Sequence, residues 1–494
     1  MSLGQFILLG NWILEFNYKK KLSRLCSNKT ALIVLSLFAI HLIGLLWTSN
    51  FDYALKDLRI KLPLLFLPIV FASAIQFSKK TFDFLIHFFI AVVLITTFVS
   101  LYRYLQIRDI ALFDKRDLSI NISHIRFSLL ICLSVFLSLY QFYKYTGGFK
   151  LLFLVISIWQ IVFLFILESF SGIVILSLLL PIVTIIYSLS IRSNLKRIAS
   201  SSLIIVFTLS VLSVLIWRIN NYHFSPRPEQ TQLKVTAIGS PYFQDTTEWA
   251  NKQLENGYYI YQNIAYWELE DAWNERSNFK YSGKDENGND LYITLIRFLA
   301  SKGEAKDRAS IERLTTDEVA AIEAGIANVN YLRYPQVARI DKIIWEFDHY
   351  SKGLGTNGHS VASRIVYWKQ AWKLIKENWI IGVGTGDLQD EFESSYQRTG
   401  SELNDSFRLR AHNQYLTFWV TFGIVGLLLI LFSLGLPITI SFYKADYQHL
   451  IFMAIALLSM INEDTLETQA GVTFFAFFNA LLLFSRNYTS KIDS

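Results

Sequence analysis

Apolar residues run in long unbroken stretches along this chain, near 31–48, 62–77, 82–101, 127–145, 150–167, 172–190, 202–219, 414–441, 449–462 and 470–485. A helix rises about 1.5 Å per residue and a bilayer core is about 30 Å thick, so these stretches predict about ten membrane-crossing helices. A half-length apolar piece, Phe6 to Phe16, precedes them. It reads as a partial span and not as a cleaved signal, because no basic segment precedes it and no small-residue cleavage site follows it before Lys19-Lys20-Lys21. The pattern stops over residues 220–412. The expected architecture is therefore an all-α polytopic membrane protein with about 10–12 transmembrane helices. It divides into an amino-terminal bundle (1–219), a large, mainly helical extracytoplasmic domain (220–412) with its catalytic helices near 360–412, and carboxyl-terminal transmembrane helices (413–494).

Composition agrees: of 494 residues, 52% are hydrophobic and only 17% charged, which excludes an ordinary soluble domain. Cations fall on every second short loop: Lys19, Lys20, Lys21, Arg24 and Lys29; Lys79 and Lys80; Lys144 and Lys150; Arg192, Lys196 and Arg197; Lys444; Arg486 and Lys491. The positive-inside rule makes those loops cytoplasmic and places the alternate ones, with the 220–412 segment, on the far side of the membrane. Most of the net charge of +6 is then topogenic and gives no reason to expect nucleic acid as a partner. The two cysteines, Cys26 and Cys132, leave the outer domain without thiols, so neither a disulfide framework nor a cysteine metal site is expected there.

The outer domain is no linker. It carries Trp249, Trp267, Trp273, Trp345, Trp368 and Trp372, and Thr315-Thr316-Asp317-Glu318 reads as a helix start. Turn residues at Ser282–Asp290 mark a surface loop, and Gly353–Gly358 a hinge-like break. No internal repeat is found.

From Ser363 onward the chain carries chemistry. Arg364, Trp368 and Trp372 recur at four-residue spacing and share one helical face; the tryptophans read as packing, whereas a guanidinium beside an apolar face calls for an acidic partner or an anionic ligand. Ile380-Ile381-Gly382-Val383-Gly384-Thr385-Gly386-Asp387 lacks the ending of a P-loop and the spacing of a dinucleotide fold. It reads as a tight turn with Asp387 as N-cap, whose exposed amides can face a phosphate, making Gly384 and Gly386 candidate substrate-binding positions. Arg408, Arg410 and His412 stand where the polar segment re-enters an apolar run. Arg408 and His412 share a face if that segment is helical. Snorkelling explains lone cations at a span's end, but arginines clustered on the outer side run against the orientation rule and ask for an anionic ligand.

Ser363-Arg364 with Trp368, Gly382-Val383-Gly384-Thr385-Gly386, and His412-Asn413-Gln414-Tyr415-Leu416 followed by Phe422-Gly423-Ile424-Val425-Gly426 resemble the signature region of the O-antigen ligase and polymerase superfamily. Leu45 to Leu55 and His124 to Ser128 are similar to its weaker amino-terminal motifs. The resemblance implies a bacterial inner-membrane glycosyltransferase of polysaccharide or lipopolysaccharide synthesis in the cell envelope. Its donor would be a glycan on undecaprenyl or another polyprenyl diphosphate. It also brings Asn413, in the His-Asn-Gln motif, among the substrate-binding candidates. One departure stands out: at Ser169-Phe170-Ser171-Gly172, Phe170 occupies the place where members commonly carry arginine, so Arg126, predicted on the same side, is the candidate to supply that charge.

The chemistry follows independently. Transfer of a glycan from a diphosphate to a hydroxyl needs a base near the acceptor and positive charge near the leaving group. His412 is the natural base and Arg364, with Arg408 or Arg410, the natural clamp; neither metal nor cofactor is required, and displacement by an activated hydroxyl inverts the anomeric centre. Lys56, Arg59 and Lys61 read as snorkelling cations of an interfacial helix, and Glu463, Asp464 and Glu467 as an acidic outer loop, solvated or paired with the arginines. The acceptor, whether lipid A core, growing polysaccharide or protein, is not encoded in any motif. The alternative is a transporter or flippase for lipid-linked glycans, which would carry paired Gly/Pro-interrupted spans with charges at the bilayer midplane.

Overall fold

The computed structural model describes residues 3–107, 118–119, 122–189, 193–224, 231–357, 359, 361–401 and 403–486. Arg192, Gly358, Lys491 and part of the loop from Arg103 to Arg126 lie outside these residues. In chain order the helices are α1 (Leu3–Leu14), α2 (Tyr18–Ser27), α3 (Lys29–Ile43), α4 (Phe51–Lys61), α5 (Pro63–Ser73), α6 (Lys79–Ile107), α7 (His124–Lys144), α8 (Gly148–Ile166), α9 (Phe170–Leu189) and α10 (Asn194–Phe224). There follow α11 (Glu248–Asn251), α12 (Tyr266–Arg276), α13 (Leu291–Ser301), α14 (Arg308–Glu312), α15 (Thr316–Glu323), α16 (Val329–Arg333), α17 (Pro335–Ser351), α18 (Ser363–Glu377), α19 (Leu388–Arg398), α20 (Gln414–Tyr443), α21 (Tyr447–Asn462) and α22 (Gln469–Phe484). Among the described residues the only sheet is a two-stranded antiparallel one, β1 (Leu254–Glu255) with β2 (Tyr258–Tyr259). The fold is an all-α polytopic membrane protein.

Among the described residues six helices are long and apolar enough to cross a bilayer: α3 with its continuation to Trp47, α6, α7, α8, α9 and α20. Three other expected spans are shorter than a full crossing. The 62–77 run forms α5, with 11 residues, and the 449–462 and 470–485 runs form α21 and α22, with 16 each. Pro63 opens α5 at its first turn, where the missing N–H costs nothing. The half-length α1 agrees with a partial first span.

Contacts divide the chain into two compact units. One comprises Met1–Tyr104, Lys115–Ile182 and Arg364–Ser494, the other Leu105–Asp114 and Val183–Ser363. Residues 364–412 thus pack with the spans of the first unit. In the second, Trp273, Leu291, Leu295, Phe298 and Ile322 form an apolar core. Thr315 caps α15 through a reciprocal capping box with Glu318, as its sequence predicts. Arg218 of α10 forks onto Asp341 of α17 at 2.8 and 2.6 Å.

One break in the first unit positions the later elements. Gly423, at φ 63°, interrupts α20 and frees the carbonyls of Val420 and Thr421, which accept from Val383 N and Gly384 N, both at 2.9 Å. In return, Ile424 N and Val425 N donate to Trp379 O and Ile380 O at 2.8 and 3.3 Å. The turn after α18 is thereby spliced into the broken helix. A side chain on Gly382 would collide with the backbone of Thr421, and one on Gly423 with that of Ile380. Both also hold left-handed backbone conformations, at φ 71° and 63°, which glycine adopts without strain.

Gly423→Ala is expected to destabilise the purified chain by about 2–3 kcal/mol, from strain and collision together. Gly435→Ala, in the same helix with open space around it, should leave the thermal unfolding midpoint unchanged or raised. Equal midpoints for the two variants would contradict the splice.

Candidate functional site

The turn joining α21 to α22 carries Glu463, Asp464 and Glu467, each at most 8% exposed. A carboxylate so removed from water needs a cation or several donors. Glu463 accepts from Arg364 at 2.9 Å and lies 3.5 Å from Arg126 and 3.9 Å from His412 Nδ1. Asp464 accepts from the backbone N–H of His412 at 3.2 Å and from the Thr417 hydroxyl at 2.8 Å. Glu467 meets Lys61 at 3.0 Å, Arg410 at 3.4 Å and the Gln414 amide at 2.9 Å. The acidic turn is therefore the buried centre of the cationic cluster, paired and not solvated.

Each cation is delivered by its element. Ser123 caps α7 and places Arg126 in its first turn, where its guanidinium also donates to Asp464 O. Arg364, in the first turn of α18, also donates to Asn462 O at 3.2 Å. On the same face Trp368 donates to Ala411 O at 3.0 Å, tying α18 to the segment that bears His412. Trp372 packs edge-on against Trp419, the packing role its spacing suggests. Ser171, beside the departing Phe170, accepts from Asn462, so the motif reaches the acidic turn through serine while Arg126 brings the guanidinium.

Several sequence expectations are corrected. Residues 408–413 are not helical, and His412 turns at φ 46°, so Arg408 and His412 do not share a helical face. Arg408 instead pairs with Asp405 and donates to Leu403 O, away from the acidic turn, whereas Arg410 reaches it and also donates to the Tyr53 hydroxyl at 3.1 Å. Asn413 is an N-cap: its side-chain oxygen accepts from Tyr415 N and Leu416 N, and its amide donates to Ile461 O. Gly384 and Gly386 offer no amide to a phosphate. Gly384 N is taken by Thr421 O, Gly386 N by the Thr48 hydroxyl, and Thr385 N by Gly44 O.

Asp387 takes the N-cap position of α19 as expected, but its side chain makes no capping bond and accepts instead from Ser49 N and Asn50 N. The amino-terminal motif around Thr48 to Asn50 is thus the seat of the glycine-rich turn. Lys61, expected to snorkel, is 1% exposed and shared between Asp57 and Glu467. Its signal lay in the i, i+4 spacing to Asp57 within an apolar surround.

The electrostatics follow from burial. Burial opposes charge on Glu467, but Lys61 and Arg410 outweigh it and hold the carboxyl at about 2. Asp57 shares Lys61 with that stronger competitor, and burial pushes it up to about 6. Burial also raises Asp464, against the pull of Arg410. For His412, burial lowers the imidazole below its ordinary 6.5; Glu463 pulls it up, and Arg364, Arg410 and Arg126 push it down. Its Nδ1 is buried without a hydrogen-bond partner, while the side chain as a whole keeps 34% of its surface. A neutral imidazole with one accessible edge beside three guanidinium groups can take a proton from a neighbour and hold an anion close by. Among the described residues no group of three or more His, Cys, Asp or Glu side chains is arranged to hold a metal ion.

No curated protein sequence matches the chain significantly. The cluster's Arg364, Arg410 and His412, with the glycine-rich turn and the broken helix, fall inside a family match, whereas Arg126, Lys61 and the acidic turn fall outside it. Residues 308–431 match the family model described as O-antigen ligase, so over that stretch the chain, on its all-α polytopic membrane frame, is similar to that family.

Proposed function

We propose that this chain is a glycosyltransferase of the bacterial inner membrane that moves a glycan from a polyprenyl diphosphate to a hydroxyl acceptor, with the 220–412 segment outside the cytoplasm. The observation that carries the reading is the convergence of Arg126, Arg364 and His412 on Glu463, with Arg410 alongside. The family match supports the coarse class of reaction.

In this reading the acceptor oxygen attacks the anomeric carbon as its proton passes to His412, and the bond from that carbon to the phosphate oxygen breaks. The electron pair leaves with the diphosphate, whose growing charge Arg364 and Arg126 meet. The imidazole is suited to the task because burial and its arginine neighbours keep it unprotonated near neutral pH. Arg410 is committed to Glu467 and Tyr53 and acts by setting the local field, and Arg408 holds the loop before it. A transporter would present the freed backbone groups of a broken helix to its cargo. In α20 those groups are taken up by the turn after α18, which favours the enzyme.

His412→Ala is expected to insert and to bind a polyprenyl diphosphate, but to transfer about 10²–10⁴-fold more slowly, as loss of a positioned base predicts. Wild-type turnover from that variant would remove the histidine from the reaction. Arg364→Lys keeps the charge but loses the forked contact, and should lower transfer about tenfold or more at equal protein level, the worth of one charge-assisted hydrogen bond. The pH dependence has a definite sign. Because the base must be neutral and its pKa lies below 6.5, transfer should persist as pH falls through 6.5 and fail only below it. An acidic limb above that value in the pH profile of kcat/KM, which reports the free enzyme, would contradict the assignment.

A further inference from the structure

Glu463 is 4% exposed and stands between two guanidinium groups and an imidazole, at 2.9 Å from Arg364, 3.5 Å from Arg126 and 3.9 Å from His412 Nδ1. Resting on the transferase reading above, we propose that Glu463 is a positioning residue with two successive partners. In the unliganded chain it holds Arg126 and Arg364 beside His412, and once a diphosphate takes those cations over it becomes the counter-ion of His412.

The argument is one of charge balance in a place that water scarcely reaches. A diphosphate offers phosphate oxygens that suit guanidinium groups better than a single carboxylate does, so it competes for both arginines. Glu463 is then left buried with its cations drawn away, a state that costs several kcal/mol unless positive charge is restored. The groups facing His412 are Arg126 from α7, Arg364 and Tyr367 from α18, Arg410 from its own segment, and Glu463 and Asp464 from the acidic turn. Asp464 is occupied by the Thr417 hydroxyl and the His412 backbone. The Nδ1 edge of His412 faces Glu463 and has no hydrogen-bond partner, so it is the group placed to answer that carboxylate.

Protonation of His412 then becomes easier when the donor is in place. The base strengthens only when there is a leaving group to displace, which guards against proton uptake in the empty site. The proton gained by the imidazole is the acceptor's, and the charge it brings neutralises Glu463.

The test uses the full-length chain in nanodiscs, with undecaprenyl diphosphate lacking a glycan as probe. Acylation of His412 by diethyl pyrocarbonate, followed against pH at the His412 peptide by mass spectrometry, reports when the imidazole is unprotonated. In Glu463→Gln the midpoint should move to lower pH than in wild type. The probe should raise the midpoint in wild type and raise it less in the variant, and probe affinity should be equal or tighter, since two guanidinium groups are released. Glu463→Asp, with the carboxylate drawn back by one methylene, should shift in the same direction by less, and it decides the matter if the glutamine variant does not accumulate. An unmoved midpoint, or an equal response to the probe, in whichever variant accumulates would overturn the proposal. So would loss of probe binding with the midpoint unchanged, which is what a merely structural carboxylate would give. None of these readouts requires turnover, so they stand apart from the transfer assay on His412→Ala that tests the transferase reading.

Discussion

Three carboxylates turned inward between α21 and α22 set the terms for everything around them. A buried carboxylate stripped of its partners costs about 3–5 kcal/mol, so the turn can exist only where cations and donors from other elements converge on it. They arrive from five directions: Lys61 from α4, Arg126 from α7, Arg364 from α18, Arg410 from the irregular segment before α20, and Gln414 from the first turn of α20 itself. Charge pairing therefore does the work of assembly here. Helices far apart in sequence are held at one end of the first unit by contacts that fix their depth and rotation, which apolar packing alone specifies loosely.

The same arrangement explains how four clustered cations are held together. Four cations gathered without carboxylates would repel one another, and the segment carrying His412 has no helix of its own to hold it. Asp464 fixes that segment through its backbone, Trp368 holds the preceding carbonyl, and the cap formed by Asn413 starts α20 immediately afterwards. The left-handed turn at His412 directs the imidazole toward Glu463 instead of along the helix. Pairing each guanidinium in advance costs some affinity for an anion but lowers the reorganisation needed when one binds.

Much of this was legible in the sequence because membrane topology makes cations informative. Arg364, Arg410 and His412 were conspicuous as clustered charges that the positive-inside rule did not account for, and Arg126 followed from the vacancy at Phe170. The rest was hidden for physical reasons. Arg408 and Arg410 differ in partner because the segment from 408 to 413 is irregular, and no periodicity reveals which way each side chain turns. Lys61 looked like its neighbours Lys56 and Arg59, since its partner Glu467 lies some four hundred positions away and the i, i+4 spacing to Asp57 was the one local sign of its burial. The span at 62–77 looked complete because its apolar run continues beyond the end of α5, whereas the runs at 449–462 and 470–485 coincide with α21 and α22, which are themselves short. Gly384 and Gly386 resembled a phosphate cradle because the same backbone freedom serves a splice between two segments.

That splice makes Gly382 and Gly423 a single unit of inheritance. Each lacks a side chain because the other's strand of backbone fills the space, and the four hydrogen bonds between them are made or lost together. A side chain at either position pushes the two segments apart, and the ladder between them is lost as a whole. A glycine inside a span, matched by a glycine-rich turn before it, is here the mark of two chain segments sharing one ladder.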